Sequence, residues 1–255
     1  MADPSERSIN ENINRVAGNN NKSEARCLRE VRFEETLQSS RFIRPIRMNF
    51  QRNDTSIKQF YWDLALEHDN VAVLLYHREK KSFLLVKQFR PPVYVQRIRQ
   101  MPENVGRSLT EIDWPSYPIS LGETVELCSG LMDKMGKDAL ETVREEIAEE
   151  CGYNVDVAKI EKIKHYLTGV GISGSSQHLF FAEIDETMKA GEGGGIAAEG
   201  EFIEKVFWTF NEARQVLDDA VSTSSPPSLM FALSWFFRNK SKLVQEADSS
   251  TVYHK

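Results

Sequence analysis

Three carboxylates recur at helical spacing near the middle of the 255-residue chain. Glu146, Glu149 and Glu150 stand at i, i+3 and i+4, which places them within an arc of about 100° on a helix. Like charges at this spacing repel one another. A hard cation such as Mg²⁺, with Mn²⁺ as the alternative, takes carboxylate oxygens and would turn that repulsion into binding. A solvated acidic face is the commoner meaning of three clustered glutamates, so their spacing alone does not decide.

The chain around these glutamates predicts a helix. Asp138 followed three residues later by Glu141 is typical of a capping box at a helix start. Gly152 suits the position just past the last turn, where a left-handed backbone ends a helix. The apolar side chains that we expect to pack inward from the adjoining face are Leu140, Val143, Ile147 and Cys151.

The glycine-containing loop, this helix and the glycine after it resemble the Nudix box, G-x5-E-x7-R-E-U-x-E-E-x-G-U, where U is an aliphatic residue. Gly130 opens the match, and the residues that complete it are Glu146, Ile147, Glu149, Glu150, Gly152 and Tyr153. Other segments are similar, in the same order, to the UDP-sugar pyrophosphatase branch of that family. They are KQFRPPVY (87–94), VELCSGL (125–131), LTGVGISGS (167–175), GGGIAAEGEFIE (193–204) and SWF (234–236).

The resemblance implies an α/β protein with the Nudix α/β/α sandwich, a mixed sheet between helices, and a small N-terminal antiparallel β appendage. It also implies an enzyme that hydrolyses the diphosphate of a nucleotide sugar in a metal-dependent reaction, with UDP-glucose and water giving UMP and glucose 1-phosphate. ADP-ribose hydrolysis is the first alternative, because it would share the fold and the metal site. A catalytically weak nucleotide-binding Nudix module and a structural protein with an acidic helix are the others.

Roles for single residues follow from the same resemblance. The implied metal ligands are Glu146, Glu149, Glu150 and the backbone carbonyl of Ser129. The implied general base is a glutamate of the second glycine-rich loop, either Glu199 or Glu201, and Glu199 aligns slightly better.

Three charged residues before the box are candidates for substrate binding. Arg90 belongs to the QFR segment, whose arginine reaches the substrate diphosphate in the family, and a planar guanidinium suits phosphate oxygens. Lys87 on the same strand and Glu126 on the strand entering the box are the other two. The alternative interpretation for each of them is a charge at the protein surface, at the rim of the site or on an edge strand, that does not bind substrate.

Two features of the box depart from the pattern. The loop is one residue longer, so Gly136 or Lys137 stands where the first glutamate is expected. Glu145 occupies the arginine position, and Arg144, shifted by about 100° around the helix, cannot replace that cation. Our hypothesis is that Glu145 adds negative charge and makes metal binding steeper with pH; a fourth metal ligand or a solvent-facing side chain are the alternatives.

The pattern along the chain predicts a disordered tail (1–38), a β segment (39–66), a main domain (67–240) and a fraying tail (241–255). The resemblance implies that the main domain is the Nudix domain and that the β segment builds a homodimer; a hairpin folded back on its own domain is the alternative. Residues 41–62 alternate around Asn53-Asp54, as in a hairpin. We expect strands at 70–76, 82–89, 123–128, 160–168, 178–184 and 201–208, helices at 211–218 and 228–239, and a long loop at 95–122. The aromatic cluster at 231–237 is expected in the core or at a dimer contact.

Composition narrows the class of protein. A net charge of −6 argues against a nucleic-acid partner, since binding a phosphate backbone needs a basic face. Three scattered cysteines predict no disulfide framework or zinc site. We see no secretory signal, and the apolar run at 229–237 is too short to span a bilayer. A cytoplasmic protein without a membrane partner is therefore expected.

Overall fold

The computed structural model describes residues 26–33, 40, 42–51, 59–218, 223–240 and 242–245, without the side chain of Glu199. These residues form two sheets. The smaller one pairs β1 (Arg44–Phe50) with β2 (Phe60–Leu66) in antiparallel fashion, which confirms the predicted N-terminal appendage. The predicted turn at 53–54 lies outside the described residues.

A seven-stranded mixed sheet forms the centre of the described chain. Its strands are β3 (Asn70–His77), β4 (Ser82–Phe89), β5 (Glu123–Glu126), β6 (Cys128–Leu131), β7 (Glu161–Leu167), β8 (Ser176–Ile184) and β9 (Glu204–Thr209). The central strand β3 pairs in parallel with β8 and in antiparallel fashion with β4 and β6. Because β6 runs along the start of β3, it directs the chain from the sheet into the loop before the glutamate-bearing helix.

Helices cover both faces of this sheet. Helix α2 (Ala139–Glu146) covers one face, and α3 (Phe210–Asp218) and α4 (Pro227–Asn239) cover the other, whereas α1 (Pro91–Arg99) packs in a separate small core with the segment that follows it. Alternate residues of β3 face opposite ways: Val73 packs in the core beneath α2, and Leu74 packs in the core beneath α3 and α4. The predicted α/β/α sandwich with a mixed sheet is therefore confirmed.

Helix α2 begins and ends as its sequence predicts. The carboxylate of Asp138 accepts hydrogen bonds from two backbone N–H groups, and Glu141 completes the capping box. After Glu146 the helix widens into a π-helical turn over Ile147–Cys151, a distortion that is frequent at functional sites. Gly152 follows with φ +79°, and a Cβ there would lie 2.4 Å from the carbonyl oxygen of Gly191. Only glycine can end the helix so close to this neighbouring backbone.

One expectation outside the sandwich is wrong. Residues 95–122, predicted as a loop, contain the second half of α1 and three short 3₁₀ turns. Tyr94, Ile98 and Trp114 form a small apolar core there, to which Leu28 and Val31 of the predicted disordered tail add contacts. A helix starting at Pro91 has no need of the missing N–H, so its prolines are compatible with the first turn.

The C-terminal helices lie close to their predicted ranges. Leu233 and Phe236 are fully buried beneath the sheet, whereas Phe231 remains exposed, so the aromatic cluster belongs mainly to the core. Within the described ranges, none of the helices combines the length and apolarity needed to cross a membrane.

Candidate active site

A cavity of about 680 Å³ opens between the sheet, the loop before α2 and the glycine-rich loop after β8. Glu146, Glu149 and Glu150 line one wall of it, and Arg90 and Glu126 line another. The π-helical turn and the strand ends thus bring together charged residues that are up to 60 positions apart in the chain. The cavity collects the carboxylates predicted as metal ligands and the arginine predicted to bind a diphosphate.

Glu146 is held against the backbone of β6. A Cβ at Gly130 would lie 2.1 Å from the carboxylate of Glu146, so only glycine allows this approach. Burial, followed by the charge of Glu149, raises the pKa of Glu146 to about 7. The carboxylate therefore sits in a pocket where its negative charge lacks full compensation.

Glu150 is the most buried member of the group. Its Oε2 accepts a hydrogen bond from the backbone N–H of Ser129 at 3.0 Å, and the thiol of Cys128 also bonds its carboxylate. Burial outweighs these bonds and raises the pKa of Glu150 to about 8, and the charges of Glu146 and Glu201 add to the increase. The carboxylate thus faces the cavity with its orientation fixed and its negative charge under-compensated.

Glu149 and Glu145 contact lysines of the preceding loop. Lys134 Nζ lies 3.3 Å from Glu145 Oε2 and 3.6 Å from Glu149 Oε1, and Lys137 Nζ lies 2.6 Å from both oxygens of Glu145. Lys137 lowers the pKa of Glu145, with Lys134 contributing. Two ammonium groups thus face Glu145, yet its charge still contributes to the raised pKa of Glu146, so the hypothesis that Glu145 adds negative charge and makes metal binding steeper with pH stays a prediction.

The donor set fits a divalent cation in its chemistry. The hard oxygens that such an ion prefers are supplied by Glu146, Glu149 and Glu150, which share one cavity wall with Ser129. Among the described residues, no three acidic, histidine or cysteine side chains converge closely enough to enclose an ion as they stand. Glu149 turns toward Lys134 and Glu150 toward the Ser129 N–H, so side-chain rotation would be required.

Arg90 and Glu126 form a bidentate ion pair in the lining of the same cavity. Arg90 Nε and Nη2 donate to the two carboxylate oxygens of Glu126, each at 2.8 Å, and Thr124 Oγ1 donates to Oε1 at 2.6 Å. Burial opposes ionisation of Glu126, but the bonds and charge of Arg90 lower its pKa overall. The pair leaves Nη1 of Arg90 available to an anion, and Glu126 acts as the support of that guanidinium.

The second glycine-rich loop packs against the end of the helix. The N–H groups of Gly194 and Gly195 donate to the carbonyls of Glu150 and Glu149, at 2.8 and 3.2 Å. This docking brings Glu201 into the cavity lining, where its Oε2 accepts a hydrogen bond from Ile196 N–H at 3.3 Å. The side chain of Glu199, the other predicted base, lies outside the described part of the structure.

Lys87 is placed elsewhere. Its Nζ lies 2.9 Å from Glu123 and 3.5 Å from Glu204, and it is not among the residues that line the cavity. Successive residues of a strand point to opposite faces of the sheet. Because Val86 points into the core beneath α2, the neighbouring Lys87 points to the other face. The geometry therefore supports the rim-charge interpretation of Lys87.

Sequence reasoning missed a chain of polar groups along the cavity floor. Tyr166 Oη donates to Gln177 Oε1 at 2.5 Å, and Gln177 Nε2 donates to Asn70 Oδ1 at 2.6 Å. Asn70 and Gln177 line the cavity from the starts of β3 and β8. A polar side chain at the start of each of two largely apolar strands was the available signal.

Comparison with known proteins places the chain in a family. No family model matches the chain, so the assignment rests on its relatives. Uridine diphosphate glucose pyrophosphatase NUDT14 of Bos taurus is 35% identical over 205 residues, covering 78% of this chain and 90% of that relative. The Mus musculus protein of the same name is 34% identical, covering 78% and 89%. GDP-mannose pyrophosphatase of Cronobacter sakazakii is 32% identical over 179 residues, covering 70% and 80%.

A solved structure, described as an ADP compounds hydrolase, is similar to the fold. The TM-score is 0.52 at 15% identity, with 85% of this chain and 92% of the other covered. The sandwich and the carboxylate-lined cavity are those expected of a Nudix-type hydrolase. The chain belongs to the UDP-sugar pyrophosphatase branch of the Nudix hydrolase family. The family and the branch predicted from the box and the flanking segments are thereby confirmed.

The buried carboxylates predict how stability depends on pH. The pKa values of Glu146 (about 7) and Glu150 (about 8) lie above the ordinary 4.5, so the folded protein retains protons that the unfolded chain releases. The contribution of these two groups to stability without divalent cations should therefore be fully present below about pH 5 and be lost as the pH rises toward about 8. Thermal unfolding in EDTA across this range measures the effect. Glu150→Gln should flatten the slope, and an unchanged slope in that variant would contradict the assignment.

Proposed function

We propose that this protein hydrolyses the diphosphate bridge of a nucleotide sugar, with UDP-glucose and water giving UMP and glucose 1-phosphate. The observation that carries the proposal is one cavity with three acidic side chains on one wall and a supported arginine on another. Its volume of about 680 Å³ lies in the range of small-molecule sites. The names of the relatives favour a nucleotide sugar as the substrate class.

Glu146, Glu149, Glu150 and the Ser129 carbonyl hold the metal in this proposal. Mg²⁺ is the proposed ion, with Mn²⁺ as the alternative, because these ligands are all hard oxygens. When bound, the cation supplies charge neutralisation for the diphosphate and acidifies water. Because burial raises the pKa values of Glu146 and Glu150, a cation must displace their protons, and its binding should strengthen as the pH rises.

Arg90 orients the substrate. Its Nη1 faces outward from the pair with Glu126 and binds a diphosphate oxygen, while the bidentate contact keeps the guanidinium plane fixed. Catalysis of phosphoryl transfer relies mainly on such placement and charge stabilisation. Glu126 contributes by supporting Arg90, and Lys87 has no substrate contact in this account.

Glu201 is the better-supported general base, because it lines the same cavity as the carboxylates and its charge contributes to the raised pKa values of Glu146 and Glu150. Glu201→Gln should lower kcat by about a hundredfold with little change in KM, since a base acts on the transition state. Glu199→Gln is the matched comparison from the same loop and should be mild. Steady-state kinetics at saturating Mg²⁺ separate the two. A severe Glu199 variant beside a mild Glu201 variant would reverse the assignment.

The proposed assembly is a homodimer built by the small sheet. Its register places Ile46 opposite Leu64, Met48 opposite Trp62 and Phe50 opposite Phe60, so that one face is apolar apart from Arg44 at its end. Met48 and Trp62 are more than half exposed. An exposed apolar face of this kind marks a protein interface. Light scattering should give twice the mass of one chain, and a monomer at micromolar concentration would contradict the proposal.

The proposed location is the cytoplasm. The chain has three cysteines, Cys27, Cys128 and Cys151, and the last two are buried in the core as thiols outside any disulfide. Thiols in this state suit a reducing compartment. Labelling of the native protein from its cellular source for disulfides tests this, and a disulfide at any of the three positions would contradict it.

A further inference from the structure

Lys134 lies in the loop between β6 and α2, and its ammonium group contacts two carboxylates of the glutamate-bearing helix. Its Nζ is 3.3 Å from Glu145 and 3.6 Å from Glu149. Lys137, from the same loop, lies 2.6 Å from Glu145 and has no ion pair with Glu149 among the described residues. Two loop lysines therefore neutralise Glu145, and only one of them also reaches the cavity wall.

We infer that Lys134 is a positioning residue that replaces the arginine missing from the Nudix box, and that Glu145 holds it in place. In the box pattern the cation precedes Glu149 by one helical turn, a spacing at which opposite charges pair. In this chain the signs are exchanged: the helix provides the carboxylate Glu145, and the loop provides the cation that contacts Glu149. The inference rests on the proposed function, because it concerns Glu149 as a metal ligand.

The longer loop makes this exchange possible. Gly136 adopts φ +84°, and Lys137 N–H donates to the Lys134 carbonyl at 3.4 Å, so the backbone turns between the two lysines. That turn directs both side chains toward Glu145. The two departures from the box, an additional loop residue and an acidic residue at the arginine position, thus act together as one compensated change.

The contact between Lys134 and Glu149 is suited to orienting Glu149 as a metal ligand rather than to stabilising the fold. The side chain of Lys134 is 41% exposed, and exposed ion pairs contribute little to the free energy of folding. Glu149, however, can turn in several directions, and Glu146 repels it. A cation held at 3.6 Å from one of its oxygens limits those directions before a metal binds.

Calorimetric titration of Mg²⁺ into the substrate-free protein tests the inference. Lys134→Met should weaken Mg²⁺ binding about tenfold, which is typical for residues that orient metal ligands, and Glu145→Gln, which removes the support of Lys134, should weaken it in the same direction. The double variant Lys134→Met/Glu145→Arg should return within about threefold of wild type, because the new arginine restores the cation one turn before Glu149. Lys134→Arg should also retain binding. Lys137→Met is the matched control and should bind as wild type does.

Three results of the Mg²⁺ titration would contradict the role inferred for Lys134. Unchanged or tighter Mg²⁺ binding by Lys134→Met would overturn the inference, since a lysine that only competes with the metal would give that result. A double variant no better than the weaker single variant would also overturn it. Wild-type protein that binds no Mg²⁺ would refute the proposed metal site and this inference together, whereas wild-type binding with an unrescued double variant refutes the inference alone.

Discussion

Glu149→Gln should lower kcat by about a thousandfold or more while leaving the fold nearly intact, because the amide keeps the shape of the side chain but removes a charged ligand oxygen. Glu149 lies at the open edge of the carboxylate wall, and its nearest cation is Lys134 at 3.6 Å. Loss of that contact should change stability little. Removal of repulsion against Glu146 should even raise the melting temperature of the metal-free protein slightly.

The chain offers a closely matched control for this substitution. Glu183 has the same side-chain exposure of 35% and the same ion-pair distance of 3.6 Å, in its case to Arg78. Glu183→Gln should leave turnover unchanged, because the residue lies outside the cavity lining. Steady-state rates and thermal unfolding of both variants provide the measurement. Glu149→Gln activity within a few-fold of wild type, at saturating Mg²⁺, would remove Glu149 from the metal site.

Arg90→Met should lower kcat/KM by about a hundredfold and also destabilise the fold. The first effect follows from losing the charged donor that holds the diphosphate. The second follows because Glu126, which is buried, would lose both hydrogen bonds from the guanidinium. Breaking a fully buried pair costs about 3–5 kcal/mol. Arg90 is 42% exposed, so we expect about 2 kcal/mol, measured by urea unfolding.

A second variant separates binding from folding. Arg90→Met combined with Glu126→Leu removes both charges, so most of the lost stability should return. Activity should stay low, because the donor to the diphosphate is still missing. Recovery of activity together with stability would show that Arg90 serves only to neutralise Glu126. Unchanged kcat/KM in the single variant would contradict the substrate role directly.

The local features of the site were predictable from sequence. The capping box at Asp138, the end at Gly152 and the carboxylates between them depend on contacts within one helix, and such contacts follow residue spacing. The π-helical turn was not predictable, since its bonding pattern has no residue signature here. It alters the angular spacing of the glutamates that a regular helix would give.

Contacts between distant elements were harder to predict. Arg90 and Glu126 were both identified as candidates, but their pairing depends on the register of β4 against β5. The compensation of Glu145 by Lys134 depends on the path of a loop, which helical spacing does not describe. Asn70 and Gln177 meet because β3 and β8 are parallel neighbours, a fact that only the sheet order provides.

Incubation of the wild-type protein with UDP-glucose, GDP-mannose and ADP-ribose, each with Mg²⁺ and with EDTA, tests the central claim most directly when the products are identified. We predict that UDP-glucose is cleaved fastest, that UMP and glucose 1-phosphate appear in equal amounts, and that EDTA stops the reaction. Faster cleavage of GDP-mannose or ADP-ribose would change the substrate assignment. Failure to cleave any of the three with Mg²⁺, or release of free glucose with UDP left intact, would contradict diphosphate hydrolysis itself.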